Sequence, residues 1–252
     1  FYINHIRHTM TEFKWQIDSI RTVLFFNGEI NFKKKEWSKN ITGLEISNEM
    51  TQSEENGRLI QYVEITNLDS NKQFNLVYLK DQSLIDLQLV FERDENFYTF
   101  NEIIKEVDFF YEKISVFFDQ LNEKIIRIGN VVELSIPVDN EKIGCDLLRS
   151  NVSYLNNMQE DLEEISYRTN KSYFIDNIKI NQVVQYSNGQ KMSLVIDPNI
   201  GIPKAKVQKN ILMNIDVNTD ASHRSELDFL KFIPLLQDSV KKLIRNGGTY
   251  VS

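Results

Sequence analysis

Twice along this chain of 252 residues, a series of short alternating segments ends in one long stretch whose apolar residues recur every three or four positions. Strict alternation half-buries a strand, whereas three-four spacing paints one face of a helix. In the first long stretch the apolar positions are Phe100, Ile103, Ile104, Val107, Phe110, Tyr111, Ile114, Phe117, Phe118 and Leu121. Thr99 and Glu102 supply a capping box at its start, each side chain satisfying an otherwise orphan backbone N–H. The second begins near Ser225-Glu-Leu-Asp228 and runs through Leu227, Leu230, Ile233, Leu236, Val240, Leu243 and Ile244, with Gly247-Gly248 as its stop. Pro234 is expected to kink it or to mark a short leading turn.

Strands are predicted ahead of each helix: Val23 to Phe32, then Tyr62, Val63 and Ile65, then Phe74 to Tyr78, then Ile85 to Phe91. After the first helix the alternation resumes at Val132, Leu134 and Ile136, at Ile178 and Ile180, at Met192 to Ile196 and at Ile211 to Val217. Asn188-Gly189 reads as a hairpin turn, since both residues tolerate positive φ. An inserted helix is expected along the stripe Leu148, Val152, Leu155, Met158, Leu162 and Ile165, with Glu160, Asp161, Glu163 and Glu164 on its wet face. Asn48 to Asn56 reads as a mobile loop and Asp197 to Lys209 as an ordered one. The fold class expected from this order is α+β: a duplicated unit of antiparallel strands followed by a long packing helix. The two units would be 10–122, an N-terminal β-meander plus helix, and 123–252, a C-terminal β-meander with inserted and terminal helices. Met10-Thr11-Glu12 would make a natural start, so residues 1–9 read as a vector remnant or upstream extension.

Composition removes several classes of function. Cys145 is the one cysteine, so an intrachain disulfide framework is excluded, and with three histidines a Cys/His zinc site lacks ligands. His5 and His8 have helical metal-pair spacing but no further ligands near them. No stretch approaches the ~18 apolar residues of a membrane-spanning helix, and a cytoplasmic protein without membrane association is expected. A formal charge of −7 argues against a broad polynucleotide-binding face. Lys33, Lys34, Lys35 and Trp37 form the one dense basic run, three cations beside an indole that would grip a phosphate and stack a base. The same run also reads as a solvated turn with one anchoring tryptophan.

No phosphate-binding glycine loop, nucleophile elbow or base beside Cys145 is present in the sequence. Carboxylates remain. Asp216 and Asp220 flank a strand end and are the candidate catalytic pair of a divalent-metal nuclease or phosphodiesterase; Asp86, Glu92 and Asp94 cluster on another strand, and Asp176 with Lys179 and Glu64 with Lys72 are smaller fragments. Phe109 is a fourth phenylalanine beside Phe110, Phe117 and Phe118, more than one helix face should hold. It is expected at the margin, packed against the other half or in a subunit interface.

Ile17-Asp-Ser-Ile-Arg-Thr-Val-Leu-Phe-Phe26, Ile126-Arg127-Ile128-Gly129, Leu212-Met-Asn-Ile-Asp216-Val and Glu226-Leu-Asp-Phe-Leu together resemble a sporadically distributed prokaryotic protein family without an established function. Where that family tends to carry Arg-Ile-Gly-Leu-Arg-Tyr, this chain has Arg127-Ile-Gly-Asn130-Val-Val. The resemblance implies a two-half α+β architecture and a setting among mobile or defence-type genes. The resulting expectation is a non-enzymatic protein-binding or scaffold subunit of an antiviral defence or mobile-element system. It would need no cofactor and no metal, and it would have a protein partner or act as a homodimer.

Overall fold

A computed structural model of the chain describes residues 14–28, 36–92, 96–121, 123–152, 155, 162–196 and 203–250. Among these, the strands are β1 (Gln16–Phe26), β2 (Asn48–Ser53), β3 (Leu59–Asn67), β4 (Lys72–Leu79), β5 (Leu84–Phe91), β6 (Ile125–Val138), β7 (Ser166–Ile175), β8 (Ile178–Ile196) and β9 (Pro203–Thr219). The helices are α1 (Trp37–Thr42), α2 (Phe100–Gln120), α3 (Glu141–Asn151) and α4 (Phe229–Arg245).

All nine strands form one antiparallel sheet, in the order β2-β3-β4-β5-β1-β6-β9-β8-β7. This corrects the expected α+β duplicated unit closed by its own long helix. The alternating segments on both sides of residue 122 merge through the β1–β6 ladder into a single strand-dominated layer. Thr22 donates its hydroxyl to Asn130 Oδ1 at 2.7 Å inside that seam, while the Asn130 Nδ2 is buried without a partner.

Alternation decides which side is covered. Ile20, Leu24, Phe74, Leu76, Leu87, Leu89, Ile128, Val132, Ile215 and Val217 face the helices and are buried. On α2, Phe110 lies 6.5 Å from Phe74 and Phe117 lies 5.0 Å from Trp37 of α1, ring centroid to centroid. Thr99 forms the capping box with Glu102 that its sequence predicts. Asp228 is the N-cap of α4, and Pro234 lies inside that helix, beyond a leading turn.

Four local expectations change. The Asn48–Asn56 stretch is largely strand β2, exposed along its length. Asn188 and Gly189 lie within β8, paired with Ile211 and Asn210, rather than in a turn. The Asn188 side chain accepts from Ile165 N–H at 2.6 Å, and a Cβ on Gly144 of α3 would stand 3.3 Å from the Asn188 Cβ. These residues serve close helix approach instead of chain reversal. Of the expected loop at Asp197–Lys209, residues 203–209 belong to β9. The inserted helix is Glu141–Asn151, started by the Asn140 side chain accepting from Ile143 N–H at 2.9 Å; of the expected stripe it holds Leu148, and Leu162, Glu163, Glu164 and Ile165 lie outside any helix. Met158, Glu160 and Asp161 lie outside the described residues.

Candidate functional site

With the helices on one side, the opposite side of the sheet carries no covering layer among the described residues. Its nine strands span about 38 Å at the usual strand spacing. Cross-strand register fixes the rows on this face. One row reads Asp86, Val23, Gly129, Asn218, Asn181; the next reads Gln88, Arg21, Val131, Asp216, Val183, Asn170. Leu84, Phe25 and Arg127 form the row on the other side of Gly129.

Charge is concentrated around that glycine. Arg21 grips Asp86 diagonally, Nη2 to Oδ2 at 2.5 Å and Nε to Oδ1 at 3.4 Å, while Gln88 donates to Asp86 at 2.6 Å. The Arg127 guanidinium lies 4.4 Å from the centre of the Phe25 ring, and its Nε is buried without a hydrogen-bond partner. Burial, and then the nearby Arg224, push its pKa below the ordinary value, though a guanidinium stays charged. Burial pushes the Asp216 carboxyl above the usual aspartate range, against the Asn218 amide at 2.8 Å and the pull of Arg168, Arg127 and Arg21. Gly129 adds no side chain to the middle of the cluster, a feature that lets another backbone come close.

Further along the same face, a bulge in β1 between Ile17 and Ser19 brings Asp18 and Ser19 beside Glu133 and Ser135. Ser19 donates to Glu133 at 2.8 Å and Ser135 to Asp18 at 3.0 Å. Asp18 and Glu133, with Gln185, Ser187, Leu212 and Asn214, line a shallow depression of about 230 Å³.

The catalytic candidates do not converge. Asp216 and Asp220 are four steps apart along extended chain, about 13 Å. Asp220 is already occupied: it accepts from Ser222 N–H at 2.9 Å and Ser222 Oγ at 2.6 Å, and pairs with Lys179 at 3.2 Å. The two Ser222 hydrogen bonds, then Lys179, hold its pKa well below the carboxylate range. Among the described residues no group of three or more His, Cys, Asp or Glu side chains is placed to hold a metal ion. Glu64 and Lys72 are likewise apart: Lys72 pairs with Glu106 at 2.8 Å, and Glu64 accepts from the N-terminus of α1. Asp176 pairs with Lys231 rather than Lys179.

Lys33, Lys34 and Lys35 lie outside the described residues, as do His5, His8 and Asp94. Trp37 is 4% exposed and packed on Phe117, so it offers no surface for a base; its indole serves the core. Phe109 is half-buried, with Lys72 and Lys113 5.9 Å and 5.7 Å from its ring centre. The aromatic contact that reaches α4 is Phe118 with Phe229, at 6.0 Å. Arg21, Gly129 and Arg127 belong to no chemical motif of the sequence. Their only signal is phase: they occupy the polar alternation of two otherwise apolar strands.

No protein-family profile matches this chain, and no curated protein is similar to it. Among solved structures it is similar to the outer membrane protein AlkL, determined by solid-state NMR in DMPC bilayers. The likeness has 11% identity, covers 86% of this chain and 92% of that one, and has a TM-score of 0.16, too low to carry an argument. No helix among the described residues is long and apolar enough to cross a membrane.

Proposed function

We propose that this protein is a non-enzymatic binding subunit that receives a protein partner on the helix-free face of its sheet. The observation that supports this reading is the composition of that face around Gly129. Val23, Phe25, Val77 and Val131 are half-buried there among amides and the Arg21–Asp86 pair, with the Arg127 guanidinium stacked on Phe25. A solvated sheet face is ordinarily polar throughout. Aliphatic surface broken by an arginine anchor and amide donors is the composition of a protein interface core.

Charge argues for protein over nucleic acid. Around Gly129, Arg21 and Arg127 are interleaved with Asp86 and Asp216, a mixed field rather than the concentrated cationic one that phosphate binding requires. The family resemblance adds a setting to the proposal, an antiviral defence or mobile-element locus.

The test is purification of the tagged protein from its native cells, alongside Arg127→Glu and Val23→Lys on the open face and Lys113→Glu on the helix side. A stoichiometric protein companion retained by Lys113→Glu and lost from both face variants is expected. A chain that purifies alone, or a companion indifferent to the face variants, would overturn the reading. So would Mg²⁺- or Mn²⁺-dependent cleavage of DNA or RNA that Asp216→Asn abolishes.

A further inference from the structure

The two edges of the sheet are built differently. β2 is six residues long and its ladder with β3 shifts register between Gln52 and Ser53, which interrupts it as a template. β7 is ten residues long and pairs with β8 without a shift from Ser166↔Ser187 to Ile175↔Ile178. It contains neither proline nor glycine. Its outward row of N–H and C=O groups has no strand beside it among the described residues. A long regular edge of this kind is the arrangement that folded proteins ordinarily blunt, because it recruits another strand. Phe174, on the open face of β7, is 70% exposed.

The geometry points to a second copy of this chain as the occupant, with β7 pairing antiparallel to β7 about a two-fold axis through Asn170. The side chains select this register. A two-fold axis normal to the sheet pairs residues of the same face, so the axis passes through a residue near the strand's middle, Asn170 or Lys171. Centring on Lys171 sets two ammonium groups opposite each other. Centring on Asn170 sets two neutral amides at the axis, Lys171 opposite the partner's Thr169, and Arg168 opposite the partner's Ser172. No like charges then face each other.

The same register places Tyr167 opposite the partner's Tyr173 twice on the helix side, an aromatic cross-strand pair. Tyr173 is already held by Ser239 of α4 at 2.8 Å, so one member of each pair is fixed in advance. On the open face, Phe174 stands opposite the partner's Ser166 and diagonal to the partner's Arg168, within reach of a cation–π contact. The assembly closes on itself, and it joins the two open faces into one continuous surface.

Light scattering coupled to size exclusion tests this directly. The wild-type chain is expected at twice its 29.7 kDa mass. Asn170→Lys, which puts two lysines at the axis, and Phe174→Ser are each expected to halve that mass with an unchanged far-ultraviolet spectrum. Met50→Lys on the β2 edge should leave the doubled mass intact. Asn170→Cys should crosslink to a covalent dimer with a short bis-maleimide, because directly opposite Cβ atoms lie about 4.5–5.5 Å apart, within that reagent's reach. Cys145 is buried and does not compete. A monomeric wild-type chain overturns the proposal. So does a dimer that survives Asn170→Lys and Phe174→Ser, one that is lost in Met50→Lys, or an Asn170→Cys chain that does not crosslink.

Discussion

The helix α1 depends on a carboxylate from another element, and removing it should detach the helix. α1 is six residues long, too short to be stable by its own hydrogen bonds, and its N-cap residue Glu36 makes no side-chain cap. Glu64 of β3 supplies the cap instead. Its carboxylate is 0% exposed and accepts from Trp37 N–H at 3.1 Å, Ser38 N–H at 2.5 Å and the Tyr62 hydroxyl at 2.6 Å. In Glu64→Ala, Tyr62 keeps its second acceptor, Glu49 at 3.2 Å, but the two backbone donors are orphaned in a buried site. Each orphan costs about 1–3 kcal/mol. Relief from burying a carboxylate offsets part of that, so the expected loss is about 2–4 kcal/mol. Glu64→Gln keeps one acceptor oxygen and the side-chain volume, and should lose about half as much. Urea unfolding followed by tryptophan fluorescence gives the global value. Hydrogen exchange at Trp37–Thr42 gives the local one, and protection should collapse there first. If Glu64→Ala unfolds within about 0.5 kcal/mol of wild type and the Trp37 amide stays protected, Glu64 does not hold this helix.

Three further predictions concern other elements. Asp216 has a pKa raised by burial, so the folded state binds its proton more tightly than the unfolded chain does. Its contribution to stability is full below the ordinary aspartate pKa and is lost as pH rises through the folded value. Asp216→Asn should therefore unfold at a higher temperature than wild type at neutral pH. The gap should close in acid, and an Asn variant less stable at neutral pH would refute the assignment. Gly248 has φ +73°, and a Cβ there would stand 2.9 Å from Val184 Cγ1 and closer to the Tyr186 hydroxyl. Gly248→Ala should cost about 2–4 kcal/mol from overpacking and the left-handed backbone together, read by the denaturation midpoint. Burial also raises the Cys145 thiol pKa. Thiol reagents should label the native protein only at the rate of unfolding, and prompt stoichiometric labelling would refute its burial.

Local pattern was informative wherever one face of an element is buried by its own neighbours. Residues Thr99 to Phe118 carry both a capping box and an uninterrupted apolar stripe, so α2 has no competing solution. Strand β4 and the central part of β9 alternate cleanly because the helix layer buries every second side chain, whereas β5 buries Leu84 to Leu87 without a break. The sequence of β7, Ser-Tyr-Arg-Thr-Asn-Lys-Ser-Tyr-Phe-Ile, gives no such signal. Its strand state comes from hydrogen bonds to β8, which no property of its own residues encodes strongly. β2 is polar for the same reason, as an edge with solvent on both faces.

The open-face cluster shows the same division. Arg21, Asp86, Arg127 and Asp216 are separated by up to 195 positions, 216 − 21, and each reads alone as an ordinary polar residue of an amphipathic strand. Only the ladder registers of β1 with β5 and β6, and of β6 with β9, bring them around Gly129. Asn188-Gly189 is the converse case: its turn propensity is real, but pairing with Asn210 and Ile211 and the approach of α3 outweigh it. The sequence by itself determined the periodicity of each buried element, the caps of its long helices and the residues that form its core, because these depend on neighbours within a few positions. Tertiary structure alone decided that the nine described strands share one sheet, that the described helices all lie on one side of it and that the charged residues on the other side meet. Those outcomes depend on strand order and register, which are set by long-range pairing rather than by local spacing.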